Sequence, residues 1–304
     1  EWAFHEKVLY PETDEANYTC LSSIDDLKFI EPISKSNNRV YQNTPDLYKS
    51  DMQIYCKPQI INLGNNTLMM LYIDDSQTRS KENRTILMYN IFNNGSWGTP
   101  KAVKDDGTAD FEPIVCSDNN GGAYIIWQNA NKVFDSNVTI DEMSKNIDLN
   151  FVHWNGSDFD NFEQITTDNN HLEMMYRIAA TDTDVSVVWV ENSENDTFGI
   201  NGQNSIHRRT LENNTWKNEE IIADGLNIIS SIDTSYNNTE NVIAYSTKTG
   251  TDTSTINDLE LFYYNDGRII QLTNDSTPDY SVSLFNNELY WISNNSLSIV
   301  TNGD

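Results

Sequence analysis

The 304 residues carry 46 acidic against 19 basic side chains, for a net charge of -27, with 38% hydrophobic residues and 11% aromatics. That balance excludes a basic nucleic-acid face and attraction to anionic lipid, because both draw on Lys and Arg. Chains this aromatic are not disordered tails, and no apolar run approaches the roughly 18–20 residues that a membrane helix needs.

The chain opens on Glu1-Trp2, as a mature or trimmed chain would, and residues 2–8 contain Trp2-x5-Val8, a spacing that returns further on. Residues 9–56 lack any apolar strand ending in an aromatic. They read as an excursion or a degenerate blade within a single domain spanning 1–304, with short β-formers only at 18–21 and 39–41. Cys20 and Cys56 flank this stretch, and a bridge between them is open. Cys116 lies in an alternating apolar run and reads as a core thiol.

From residue 58 onward four motifs follow one another in a cycle. The first strand is predicted at 58–61, 113–116, 174–177, 228–231 and 280–284. A second, an apolar run ending in an aromatic, falls at 68–72, 123–127, 185–189, 242–245 and 289–291, closing on Tyr72, Trp127, Trp189, Tyr245 and Trp291. The third falls at 86–89, 149–152, 205–208, 259–262 and 297–300. A fourth, Trp or Phe followed by Val or Ile six residues on, joins Trp97 to Val103, Phe159 to Ile165 and Trp216 to Ile222. Alternation and β-branched residues make all of these strands, and Asn94-Gly95 and Asn155-Gly156 are hairpin signals.

Four short strands repeating at about 50-residue spacing predict a β-propeller. Five four-stranded blades are recognisable, or six if residues 9–56 form one. Trp2-x5-Val8 has the outer-strand pattern and the last motif is a third strand, so the N-terminal strand is expected to complete the C-terminal blade and close the ring.

The run Pro113-Ile-Val-Cys-Ser-Asp118-Asn-Asn-Gly121-Gly-Ala-Tyr-Ile-Ile-Trp127 resembles the blade repeat of secreted bacterial propellers in the sialidase-like structural group, with weaker copies over most of 58–304. The resemblance implies the blade and not a chemistry, since this fold hosts hydrolases, lectins and scaffolds. The sialidase Asp-box is absent. The seven arginines (Arg39, Arg79, Arg84, Arg177, Arg208, Arg209 and Arg268) do not recur at equivalent blade positions as a carboxylate-binding triad would.

Long polar loops at 74–83, 129–146, 191–204 and 247–257 join second to third strands and collect on one rim, as binding loops do. Residues opening the innermost strands point toward the channel. Among them Glu112, Glu173 and Asp110 are the candidate acid and base of a glycoside hydrolase, with Glu112 and Glu173 placed at similar positions in successive blades. The ligand-binding candidates are His171, Arg177, Asp279 and Tyr280 at the channel, and Trp154 and Phe134 as loop aromatics able to stack on a sugar ring.

The histidines (His5, His153, His171 and His207) are scattered without zinc-ligand spacing, so no metal residues and no cofactor are assigned. A structural Ca²⁺ held by Asp74-Asp75, Asp105-Asp106 or Asp118 stays open. An exterior rich in Asn, Asp, Ser and Thr, with N-x-S/T sequons from Asn17 to Asn294, suits a secreted or cell-surface protein, which could be one module of a larger one. The favoured function is binding of carbohydrate or another surface macromolecule through the long loops. Glycoside hydrolysis by the channel carboxylates and a structural protein–protein module are the alternatives.

Overall fold

The computed structural model describes residues 56–166, 170–196, 198–250, 258–285 and 288–301. The Trp2-x5-Val8 closing strand, residues 9–55 of the excursion and the Cys20 end of the bridge lie outside them; Cys56 is a free thiol. Among the described residues the chain is all-β apart from one short helix, and no helix is long and apolar enough to cross a membrane.

Among the described residues five antiparallel sheets follow in chain order. The first holds β1 (Gln59–Gly64), β2 (Thr67–Asp75), β3 (Thr85–Asn93) and the short β4 (Ser96–Trp97) and β5 (Lys101–Ala102), both paired to β3. Gly98 and Pro100 split this outer strand, because proline has no N–H for the ladder. The second is β6 (Asp110–Ser117), β7 (Ala123–Ala130), β8 (Ile147–Trp154) and β9 (Glu163–Gln164), with α1 (Ile140–Ser144) inside the β7–β8 connection. The third is β10 (Leu172–Ala180), β11 (Asp184–Asn192), β12 (Asn204–Glu212) and β13 (Thr215–Trp216), with β14 (Glu220–Leu226) also paired to β12. The fourth is β15 (Ile229–Asn237), β16 (Glu240–Lys248), β17 (Leu259–Asn265) and β18 (Arg268–Gln271). The fifth is β19 (Asp279–Phe285), β20 (Glu288–Ser293) and β21 (Ser296–Thr301).

Asparagine chemistry builds the hairpins. Type I′ turns need positive φ at both central residues. Asn65-Asn66 (50° and 60°), Asn94-Gly95 (50° and 86°), Asn213-Asn214 (49° and 60°) and Asn294-Asn295 (48° and 62°) supply it. In each case the next residue, Thr67, Ser96, Thr215 or Ser296, is a hydroxyl residue opening a strand, so turn and strand start together make a sequon. The abundance of sequons therefore follows in part from turn geometry.

Each sheet packs on the next in chain order, and side-chain alternation divides the strands between two cores. Ile125 and Trp127 join Leu71, Ile73 and Leu87 of the first sheet, while Ile126 faces Val187 and Trp189 of the third. Val188 and Val190 then meet Ile243 and Tyr245 of the fourth, and Ala244 meets Val282 and Leu289 of the fifth. Burial on both faces is why second strands read as continuous apolar runs. The first strands β1, β6, β10, β15 and β19 adjoin one another in series, so one row of strand ends gathers the side chains that open each sheet.

The turn between β6 and β7 is locked by Asp118, which accepts the N–H groups of Asn120 and Gly122 at 2.7 Å each. A Cβ on Gly122 would collide with the Trp154 carbonyl and the Asp118 carboxylate. Gly122→Ala is expected to cost about 1–3 kcal/mol, read by urea denaturation; an unchanged midpoint would show that the turn can give way.

Candidate functional site

Three first strands carry the same distortion. In β6 the pairing jumps from Phe111 to Ile114, in β10 from Met174 to Arg177 and in β19 from Tyr280 to Ser283. Two residues thereby oppose one, and the residue skipped on the second strand is Trp127, Trp189 or Trp291. Glu112, Met175 and Ser281 open these bulges at φ 39°, 50° and 55°. Left-handed backbone at a side-chain-bearing residue costs on the order of 1 kcal/mol or more, so the surrounding sheet holds each bulge in place.

The register corrects one expectation. Glu112 sits in its bulge, whereas Glu173 lies two residues before Met175 and is therefore the counterpart of Asp110 and Asp279. These three acids share a position and differ in state. Asp110 is buried and accepts the Trp127 indole N–H at 2.8 Å, the Asn129 amide at 2.9 Å and the Leu87 backbone N–H at 2.9 Å. Burial lifts its carboxyl to about 6. Asp279 is buried and accepts the Trp291 indole at 3.0 Å. Both carboxylates are buried and hold a tryptophan.

In the third sheet this lock is unmade. Glu173 is 0% exposed, no donor meets either of its carboxylate oxygens in hydrogen-bonding geometry, and the Trp189 indole N–H has no acceptor. Burial pushes the Glu173 carboxyl up to about 9, helped by the negative charges of Asp148 and Glu191, against the opposing pull of its own backbone N–H and of Thr166. Its own carbonyl is tied to the second sheet by the Gln128 amide at 2.7 Å.

Around Glu173 lies a cluster that strand alternation places on one face. Glu173 pairs with Glu191, and Glu191 with Ser205. His171 Nδ1 meets Glu191 Oε1 at 2.5 Å. His207 Nδ1 meets Glu219 Oε1 at 2.6 Å, and its Nε2 meets Ser205 Oγ at 2.7 Å. The ligand atoms of Glu191, His207 and Glu219 lie within 4.8 Å of one another. His171 thus belongs to this cluster. Glu191, His207 and Glu219 were missed because their association joins two strands and the connection before β14; the Ser205-x-His207 alternation is the one local signal.

The open space lies elsewhere. A cleft of about 590 Å³ is lined by Phe111, Leu172, Met174, Met175 and Tyr176, by Ile140 and Met143 at α1, and by Glu112. A second, of about 480 Å³, shares Glu112, Met175 and Tyr176 and adds Lys57, Gln59 and Arg177. The two bulges project Glu112 and Met175 where the apolar and charged halves meet. The Tyr176 hydroxyl donates to the Glu112 carbonyl across the sheets. Arg177 lies 3.9 Å from Asp233.

The remaining candidates lie apart from this space. Trp154 and Phe134, expected as stacking platforms, are core residues. Trp154 packs edge-on against Phe159 at 5.0 Å and beside Tyr89 at 5.5 Å. Phe134 is held through its backbone by the Asn83 amide, at 2.8 Å for both bonds. Tyr280 donates to Asn295 at 3.0 Å. The acids weighed for Ca²⁺ are engaged within the chain. Asp75 pairs with Arg84, Asp105 with Arg79, Asp106 with Lys104 at 2.8 Å, and Asp118 with His153 at 3.0 Å.

No protein-family model matches the chain, and no curated protein matches it in sequence. Solved structures similar to it include a thermostable family-43 glycoside hydrolase, with 12% identity, a TM-score of 0.43 and coverage of 73% of this chain and 75% of that one. Another is an α-L-arabinanase of Penicillium chrysogenum complexed with arabinobiose, with 12% identity, a TM-score of 0.44 and coverage of 77% and 70%. A third is the catalytic domain of a Coprinopsis cinerea GH62 α-L-arabinofuranosidase, with 10% identity, a TM-score of 0.42 and coverage of 82% and 86%. These are glycoside hydrolases, the enzyme class that the sequence holds open as its catalytic alternative, and none of the three is a sialidase. Similarity at that level assigns this chain neither their fold nor their chemistry.

Proposed function

We propose that the chain is a secreted or cell-surface β-propeller, its five sheets the blades, that binds carbohydrate or another surface macromolecule. The observation that carries this reading is the pair of bulges projecting Glu112 and Met175 where an apolar cleft meets a charged one. A ligand with an apolar face and polar substituents suits such a surface, because the apolar half supplies area and a few polar groups fix orientation. Met174, Met175 and Met143 are flexible enough to fit more than one shape. Met175→Asp and Glu112→Gln are each expected to lower retention on a glycan array, or of a solubilised cell-surface fraction, by at least about tenfold. Binding that ignores both substitutions would refute the groove as the site.

Hydrolysis of a glycoside is the second reading, favoured by one observation. A carboxyl held protonated beside other acids is the raw material of an acid and base pair, and Glu173 beside Asp148 and Glu191 has that character. Its complete burial keeps substrate away, which is why binding stands first. Turnover of aryl glycosides that is lost in both Glu173→Gln and Glu112→Gln would reverse this order.

A further inference from the structure

We propose that Glu191, His207 and Glu219 form a binding site for a divalent transition-metal ion of the Zn²⁺ type, at the end of the third sheet and apart from the groove. Each presents one ligand atom, and the three atoms lie within 4.8 Å of one another, close enough to converge on one ion. One imidazole nitrogen with carboxylate oxygens is a borderline donor set that suits Zn²⁺ better than the all-oxygen shell of Ca²⁺.

The surrounding contacts are those such an ion needs. His207 Nε2 lies 2.7 Å from Ser205 Oγ. With Nε2–H donating to that hydroxyl, the Nδ1 lone pair is free for the metal, and the outer contact fixes ring and tautomer. His171 orients Glu191 from outside at 2.5 Å.

The second, independent observation is Glu173. It faces the same side as Glu191, its cross-strand partner, is 0% exposed, and no donor meets either oxygen in hydrogen-bonding geometry. At the same position in the second and fifth sheets the acid holds a tryptophan. Only beside this cluster is that lock absent among the three bulged strands. A buried acceptor with no donor carries a heavy cost, and a neighbouring cation offsets it.

Ser205, His207 and Glu219 also stand in the order of a nucleophile, base and orienting acid. That chemistry needs donors around a developing oxyanion. Here Glu191, the cross-strand partner of Ser205, and Glu219, on His207, place carboxylates on both sides of the pair, which opposes an oxyanion and favours a cation.

The test uses the full chain stripped with EDTA. Zn²⁺ affinity is measured by competition with a chromophoric chelator, and Co²⁺ serves as a spectroscopic probe. One ion per chain is expected, with visible Co²⁺ ligand-field bands. Affinity should fall by at least about 10–100-fold in Glu219→Gln and in His207→Gln, and be unchanged in His153→Asn, whose histidine is tied to Asp118 and Asp160. Glu219 is exposed, so its variant keeps the test open if His207→Gln does not fold. Failure to bind, affinity indifferent to Glu219→Gln, or displacement of Zn²⁺ by equimolar Ca²⁺ would each overturn the assignment.

Discussion

In metal-stripped protein, Glu173→Gln is expected to abolish a loss of stability that the native chain suffers as pH rises. The Glu173 carboxyl is raised in the fold from 4.5 to about 9, first by burial and then by the charges of Asp148 and Glu191. A carboxyl with a raised folded value is protonated in the fold while it is ionised in the unfolded chain. Its contribution is fully present below the unfolded value and is lost as pH climbs toward the folded one. Within that window the loss amounts to about 1.4 kcal/mol per pH unit. Glutamine keeps the shape and carries no proton to lose.

Asp110 is raised only to about 6, so its own loss is complete before the upper part of the window. Between roughly pH 6.5 and 8.5 the difference between the native chain and Glu173→Gln therefore isolates Glu173. Urea denaturation across that range should show the native midpoint falling and the variant midpoint nearly level. Parallel curves would mean that Glu173 is ionised and paired in the fold. Saturating Zn²⁺ is expected to narrow the gap, since a bound cation favours the carboxylate.

The second large effect falls on Trp127, which is 0% exposed between the first and second sheets and bonded to Asp110. Trp127→Ala removes a fully buried tryptophan from that core and should cost about 3–5 kcal/mol. Trp127→Phe is the sharper probe. It retains much of the volume but deletes the donor, leaving buried Asp110 short of a partner, for a further cost of about 1–3 kcal/mol. Trp189 is equally buried, but its indole N–H has no acceptor. Trp189→Phe should thus lose volume alone and be the milder change. Equal destabilisation of the two phenylalanine variants would show that the carboxylate–indole bond adds nothing to the second sheet.

Much of the strand order was legible from residue 58 onward because it rests on local rules. Continuous apolar runs ending in Tyr72, Trp127, Trp189, Tyr245 and Trp291 coincide with β2, β7, β11, β16 and β20, and the first four of these are buried on both faces. Asn-Asn and Asn-Gly pairs mark the turns, since few other residues adopt positive φ there. The outer strands were less legible. They are short, and in the first and third sheets they break into two pieces.

The candidate site was legible only in outline. Glu173 and His171 lie at the start of β10 and Arg177 in its middle, but what each touches is a matter of register. A two-residue bulge shifts every residue before it relative to the next sheet, so Glu112 and Glu173 looked equivalent in spacing and are not. Trp154 and Phe134 read as loop aromatics because neither followed the strand repeat; packing from the neighbouring sheet and from Asn83 draws both inside.

By itself, then, the sequence determined the all-β class, the succession of strands and the chemistry of the turns, because alternation, β-propensity and left-handed backbone are set within a few residues. Tertiary structure decided which acids are locked, which is left without a donor and which opens on the groove. It also brought Glu191, His207 and Glu219 together from three separate strands and connections. Burial and convergence are properties of how sheets pack, and residues that meet only across strands leave no period in the chain to be read.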